Sequence, residues 1–173
     1  MDVREASVAE LVVAARDGNR AAFAALYERF HRVVHAVVLA RVAACDAGDV
    51  VQDAFTDAWL KLVRLREPAA FPGWLVAIAR NRATDAARRR RSFEPAADLA
   101  IDPPPRLEAA AALRAIRELP DTYRETLIMR LVEGLTGPEI AAHTGMTPDS
   151  VRVHLHRGMK LLRERLGGTG GER

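Results

Sequence analysis

The stretch TGPEIAAHTGMTPDSVRVHLHRGMK, residues 136–160, decides how the chain is read. Thr136 can cap a helix, Pro138 suits its first turn, and Glu139 completes a T-x-x-E capping box. Ile140 and Ala141 supply an inward face. His143-Thr144-Gly145-Met146 then makes a turn, with Gly145 able to take positive φ at the corner. Thr147 caps a second helix, Pro148 fits its first turn, and Val151, Leu155, Met159 and Leu162 fall on one side. Two short capped helices joined by a glycine corner are a helix-turn-helix, whose second helix can enter a major groove. The outward side of that helix carries Ser150, Arg152, Val153, His156 and Arg157. Arginine can fork onto guanine, and Val153 can meet a thymine methyl. Lys160 and Arg163 lie farther along and suit phosphates. The alternative is an ordinary helical hairpin with a solvated basic face.

Outward from this motif, almost everything else reads as helix. Period-2 alternation of β-branched residues is absent, while alanine and leucine recur at helical spacing. The patterning predicts helices from about Ser7 to Arg16, from Arg20 towards Cys45, from Asp49 to about Leu62, and from Phe71 to Arg90. Beyond the middle of the chain it predicts Leu107 to Glu118, Asp121 to Glu133, Thr136 to His143 and Thr147 to Leu166. Between the two sets, residues 92–106 hold Pro95, Pro103, Pro104 and Pro105 with Glu94, Asp98 and Asp102. Such a segment cannot form a core and reads as an extended linker of at most ~50 Å. A glycine-rich tail covers 167–173. The expected fold class is all-α: two small helical domains, 1–91 and 107–166, joined by a proline-rich acidic strap.

Composition bounds the function. The chain has 173 residues, 26 basic and 23 acidic side chains, and a formal charge of +3. Two domains of that size have modest cores and gain from a larger partner. The longest apolar run, Ala36 to Ala44, is broken by Arg41 and falls short of a membrane span. The N-terminal residues lack the pattern of a signal peptide, and Cys45 is the lone cysteine, so the chain reads as cytoplasmic and free of disulfides.

Other clusters carry candidate chemistry. Arg80 to Arg91 holds six arginines around Asp85, just after Phe71 and Trp74. It is either a solvated helix end or, with its aromatics, a platform for unpaired bases. Asp49, Gln52, Asp53 and Asp57 form an acidic stripe beside Phe55 and Trp59. That stripe is either solvated or docks on a basic protein surface. His31 and His35 have i, i+4 spacing, but no third ligand accompanies them, so no metal site is expected. No nucleophile–base arrangement or phosphate-cradling loop is present, and neither a catalytic activity nor a cofactor is expected.

Taken in order, these residues resemble the extracytoplasmic-function (ECF) group of bacterial RNA polymerase sigma factors. Ala22-Phe23, Leu26-Tyr27, Asp49-Val50-Val51-Gln52-Asp53-Ala54-Phe55, Ala58-Trp59, Gly73-Trp74-Leu75 and Ile78-Ala79-Arg80-Asn81 are similar to its domain 2. Leu119-Pro120, Arg124-Glu125, Glu133-Gly134-Leu135, Glu139-Ile140-Ala141, Ser150-Val151-Arg152 and Leu155-His156-Arg157 are similar to its domain 4. The resemblance implies core polymerase binding through Asp49, Gln52, Asp53, Phe55 and Asp57. It implies recognition and melting of the −10 element by Arg64, Arg66, Phe71, Trp74, Arg80, Asn81, Arg88 and Arg89. It implies reading of the −35 element by Thr147, Ser150, Arg152, Val153, His156, Arg157 and Lys160. The implied partners are core RNA polymerase, double-stranded −35 and single-stranded −10 promoter DNA, and an anti-sigma factor. No small-molecule substrate or membrane insertion is implied. Departures from the family pattern fall at Gly137-Pro138, His143-Thr144 and Val153-His154, and Gly158 interrupts the recognition helix.

Overall fold

A computed structural model describes residues 5–93 and 107–168. All regular structure among them is helical: α1 (Val8–Arg16), α2 (Arg20–Leu39), α3 (Ala44–Lys61), α4 (Phe71–Phe93), α5 (Leu107–Arg117), α6 (Asp121–Leu131), α7 (Gly137–Thr144) and α8 (Pro148–Gly168). Two short 3-10 turns, Leu62–Arg64 and Pro68–Ala70, join α3 to α4. The expected linker beyond 93 and the tail beyond 168 lie outside the described residues.

Local chemistry sets the ends. Ser7 and Glu10 form a capping box on α1, and the Asn19 side chain accepts from the Ala22 amide at 3.1 Å to start α2. The α2–α3 junction differs from the sequence reading: α2 ends at Leu39, short of the expected Cys45. α3 begins at Ala44, ahead of the expected Asp49, and takes in the Cys45–Gly48 stretch left between the two expected helices. Ala47 and Val50 are buried there, so packing outweighs the weak helix preference of Asp46 and Gly48.

The first bundle closes around α2. Leu26, Phe30, Val33 and Val34 meet Leu11 and Val12 of α1, Val51 and Ala54 of α3, and Phe71 and Leu75 of α4 in one buried cluster. The second bundle packs α6 against α8, with α5 and α7 alongside. Gly158 lies where α8 crosses α6. A Cβ there would sit 3.1 Å from both Leu127 Cδ1 and Tyr123 Cβ, so the glycine allows a close approach that alanine would crowd. This accounts for a residue that weakens an isolated helix by about 1 kcal/mol.

The two bundles also pack on each other. α2 touches α6 and α7, and α4 touches α7. The α2 segment from Val33 to Leu39 is buried on nearly every side except at His35, because α6 and α7 cover the flank its own bundle leaves open. A helix that is apolar all round signals such two-sided burial.

Candidate nucleic-acid interface

Thr136 starts α7 with the expected reciprocal bonds. Its backbone amide donates to Glu139 Oε2 at 2.7 Å, and its hydroxyl accepts from the Glu139 amide at 3.4 Å. The Thr136 amide and hydroxyl hold the Glu139 carboxyl below the usual carboxylate range. Gly145 closes the helix at φ 74°, a left-handed conformation that favours glycine. Thr147 Oγ1 accepts from the Ser150 amide at 3.2 Å and donates to Ser150 Oγ at 2.8 Å, which caps α8.

These caps fix the aim of α8. Val151 and Leu162 are buried and Leu155 and Met159 half-buried, while Arg152, Val153, His156, Arg157 and Lys160 are exposed. Arg152, Val153, His156 and Arg157 line one shallow concavity. Arg152 pairs with its neighbour Asp149 at 3.2 Å, and both side chains are largely in solvent. Such an exposed pair contributes little and is readily exchanged for another acceptor. Thr147 and Ser150 spend their hydroxyls on the cap.

The residues assigned to the −10 element divide. Arg64, Arg66, Asn81, Arg88 and Arg89 are exposed. Trp74 is half-buried, its ring 5.9 Å from that of Phe71. Phe71 corrects the expectation. It is fully buried, 5.4 Å from the Phe30 ring and nearly perpendicular to it, so it serves as core beneath Trp74 and offers no face to a base. Arg80 is half-exposed, but its guanidinium forks onto Glu125 of α6 through two bonds of 2.9 Å. This bond to Glu125 also raises the Arg80 pKa.

The acidic stripe divides as well. Asp49, Gln52 and Asp53 are exposed. Asp57 is turned inward, against expectation, and pairs with Arg82 of α4 and with Lys61 at 2.7 Å. Hydrogen bonds from Arg82 and then Lys61 lower its carboxyl from 3.8 to about 2. Stability from a lowered carboxylate is present above its unfolded pKa and is lost as pH falls through the folded one. Asp57→Asn is therefore expected to cost about 1 kcal/mol at neutral pH. That cost should shrink below about pH 3.8 and vanish near pH 2, as read by urea unfolding at several pH values.

Phe55 is buried at the floor of a groove between α2 and α3, about 490 Å³, flanked by Phe23, Tyr27, Val51 and Trp59. Tyr27 lies 4.5 Å from Phe55, and Phe23 lies edge-on to Trp59 at 4.8 Å. The 40% exposure of Tyr27 was not legible from its helical spacing. Gln52 borders the same groove. An apolar trough with exposed Asp49 and Asp53 on the same helix suits an amphipathic helix that carries basic residues. The His31 and His35 rings lie parallel with centroids 6.1 Å apart, and His35 Nδ1 meets Glu133 of the second bundle at 2.6 Å.

Residues 26–93 match the family described as Sigma-70 region 2, and residues 109–162 match Sigma-70, region 4. The chain is 34% identical to the probable RNA polymerase sigma factor RfaY of Xanthomonas campestris pv. campestris, over 86% of this chain and 41% of that protein. It is 34% identical to the RNA polymerase sigma factor CarQ of Myxococcus xanthus, over 88% of this chain and 93% of CarQ. With the ECF RNA polymerase sigma factor SigM of Mycobacterium tuberculosis it shares 31% identity, over 94% of this chain and 86% of SigM. The solved structure of CnrH in complex with the cytosolic domain of CnrY superposes with a TM-score of 0.64 at 27% identity, covering 93% of this chain and 97% of CnrH. No helix among the described residues is long and apolar enough to cross a membrane. With both halves of the chain matched in order and the helix-turn-helix in place, the chain belongs to the extracytoplasmic-function group of sigma-70 RNA polymerase sigma factors.

Proposed function

We propose that this chain directs core RNA polymerase to promoters from the cell interior and catalyses no reaction itself. The observation that carries this reading is the doubly capped α7–Gly145–α8 unit, with Arg152, Val153, His156 and Arg157 exposed together on α8. An arginine-bearing helix face with a small apolar contact is what base-edge reading in a major groove needs. Residues 107–166 read the double-stranded −35 element. Residues 1–91 bind polymerase and hold the opened −10 strand.

Within the first bundle, Trp74 offers a stacking face, and Arg64, Arg66, Arg80, Asn81, Arg88 and Arg89 supply charge and donors for the strand. Asp49, Gln52 and Asp53, beside the Phe55 groove, dock the polymerase. An anti-sigma factor is proposed as the regulator, occupying these surfaces when the chain is idle. CnrH, similar over nearly its whole length, was solved with the cytosolic domain of CnrY bound.

The reading is tested on promoter complexes formed with core polymerase, on a promoter found by mapping transcript starts. Arg88→Ala and Arg89→Ala should each reduce the slope of log affinity against log salt by roughly 1, without changing which promoter is chosen. An unchanged slope for both would remove them from the strand path. A conventional helix-turn-helix repressor would instead bind the same promoter with no polymerase present.

A further inference from the structure

Glu125 joins the two bundles through the very arginine assigned to promoter DNA. It lies in α6 with its side chain only 12% exposed, and it accepts both bonds of the Arg80 fork from α4. The same carboxylate takes Nη1 of Arg41, in the turn after α2, at 2.6 Å, and Arg41 also reaches Asp121 at 3.2 Å. A guanidinium makes the same parallel two-bond contact with a phosphate. We propose that in the free chain Glu125 stands in for a backbone phosphate on Arg80, clasping the second bundle to the first and masking Arg80 until the clasp opens. This rests on the reading of Arg80 as a −10 contact.

The surroundings explain how the clasp forms and why it can open. Helix α2 ends on carbonyls that its own turns leave free, and the second bundle supplies their donors. Arg117 donates to Leu39 O at 3.1 Å and Val42 O at 2.9 Å, and Arg124 donates to Ala40 O at 3.2 Å. At the far end of the interface, His35 meets Glu133, and in the middle the His143 ring stands edge-on to Phe30 at 5.1 Å.

Against these gains stand two costs. Nδ1 of His154 is buried with no hydrogen-bond partner among the described residues. His154 also lines a cavity of about 390 Å³ between the bundles, shared with Arg41, Val76, Arg80 and Glu125. Unpaired buried polar atoms and an incompletely filled seam weaken an interface.

The test uses the full chain with Cys45→Ser and donor and acceptor dyes on Glu28→Cys and Arg163→Cys, both exposed positions in different bundles. The nucleic-acid probe is single-stranded oligo-dT, which reports access to phosphate-binding groups. Glu125→Gln keeps the side-chain shape and removes the charge. It should lower energy transfer and tighten oligo-dT binding about five- to tenfold, as expected if the open form is a minor population. Adding Arg80→Ala should abolish that gain.

Glu133→Gln, which weakens the His35 and Arg32 contacts and leaves Glu125 intact, should move both readings in the same direction by less. It keeps the test valid if Glu125→Gln fails to fold by circular dichroism. Unchanged energy transfer in a folded variant would overturn the clasp. Lowered transfer with unchanged oligo-dT binding would overturn the masking, because Arg80 would then not be a nucleic-acid contact at all.

Discussion

Phe30→Ala is expected to destabilise the protein by about 3–5 kcal/mol, the range for emptying a large buried aromatic site. Phe30 is 1% exposed and meets three elements at once. Its ring stands against Phe71 at the start of α4 and against His143 at the end of α7, while its backbone belongs to α2. The cavity would therefore open where the first bundle touches the second, and neither side can collapse into it without giving up a contact. Phe30→Leu should cost clearly less, because most of the volume stays filled. Urea unfolding followed by circular dichroism measures both. A loss below about 1 kcal/mol for the alanine variant would mean that the site is not packed as described.

The second large effect concerns α8. Arg152→Ala and Arg157→Ala should each lose about 1–3 kcal/mol of binding to a −35 duplex, roughly 5- to 150-fold. The loss should fall mainly on one base pair for each arginine and should leave stability nearly unchanged, because both side chains are exposed. Arg152 loses only its weak contact to Asp149 on truncation, so little is given back to offset the missing base contact. Lys160→Ala, at the phosphate end, should instead weaken every sequence alike. Competition binding with single-base variants of the duplex separates these cases. An equal loss on all sequences for Arg152→Ala and Arg157→Ala would move both arginines from base edges to phosphates.

Much of this arrangement was legible in the chain itself. The capping box at Thr136, the Thr147 cap and the Gly145 corner have chemistry confined to three or four neighbouring residues, and each forms as read. The start of α3 was not legible, because Asp46 and Gly48 favour helix only weakly and the burial of Ala47 shows only in the packed fold. Phe71 was misplaced for a related reason. An aromatic beside arginines suits stacking on bases, but only its distance to Phe30 reveals it as core.

Asp57 and Arg80 show a second limit. Both lie on helix faces that spacing makes exposed, yet Arg82 and Glu125 claim them from other helices. Partners separated by 25 and 45 residues leave no periodic trace. The packing of the two bundles did leave one. The apolar residues Val33, Val34, Ala36, Val37, Val38 and Leu39 run too far round α2 for a helix with one wet face, and the structure covers them from both sides.

The central claim is that this chain gives core polymerase its promoter choice. Run-off transcription with purified core RNA polymerase, on a template carrying a promoter mapped by transcript starts, tests it most directly. The account predicts a discrete transcript that appears only when the chain is added and that falls sharply with Arg152→Ala and Arg157→Ala. No transcript from the intact chain on such a template, or one equally strong without it, would contradict the account.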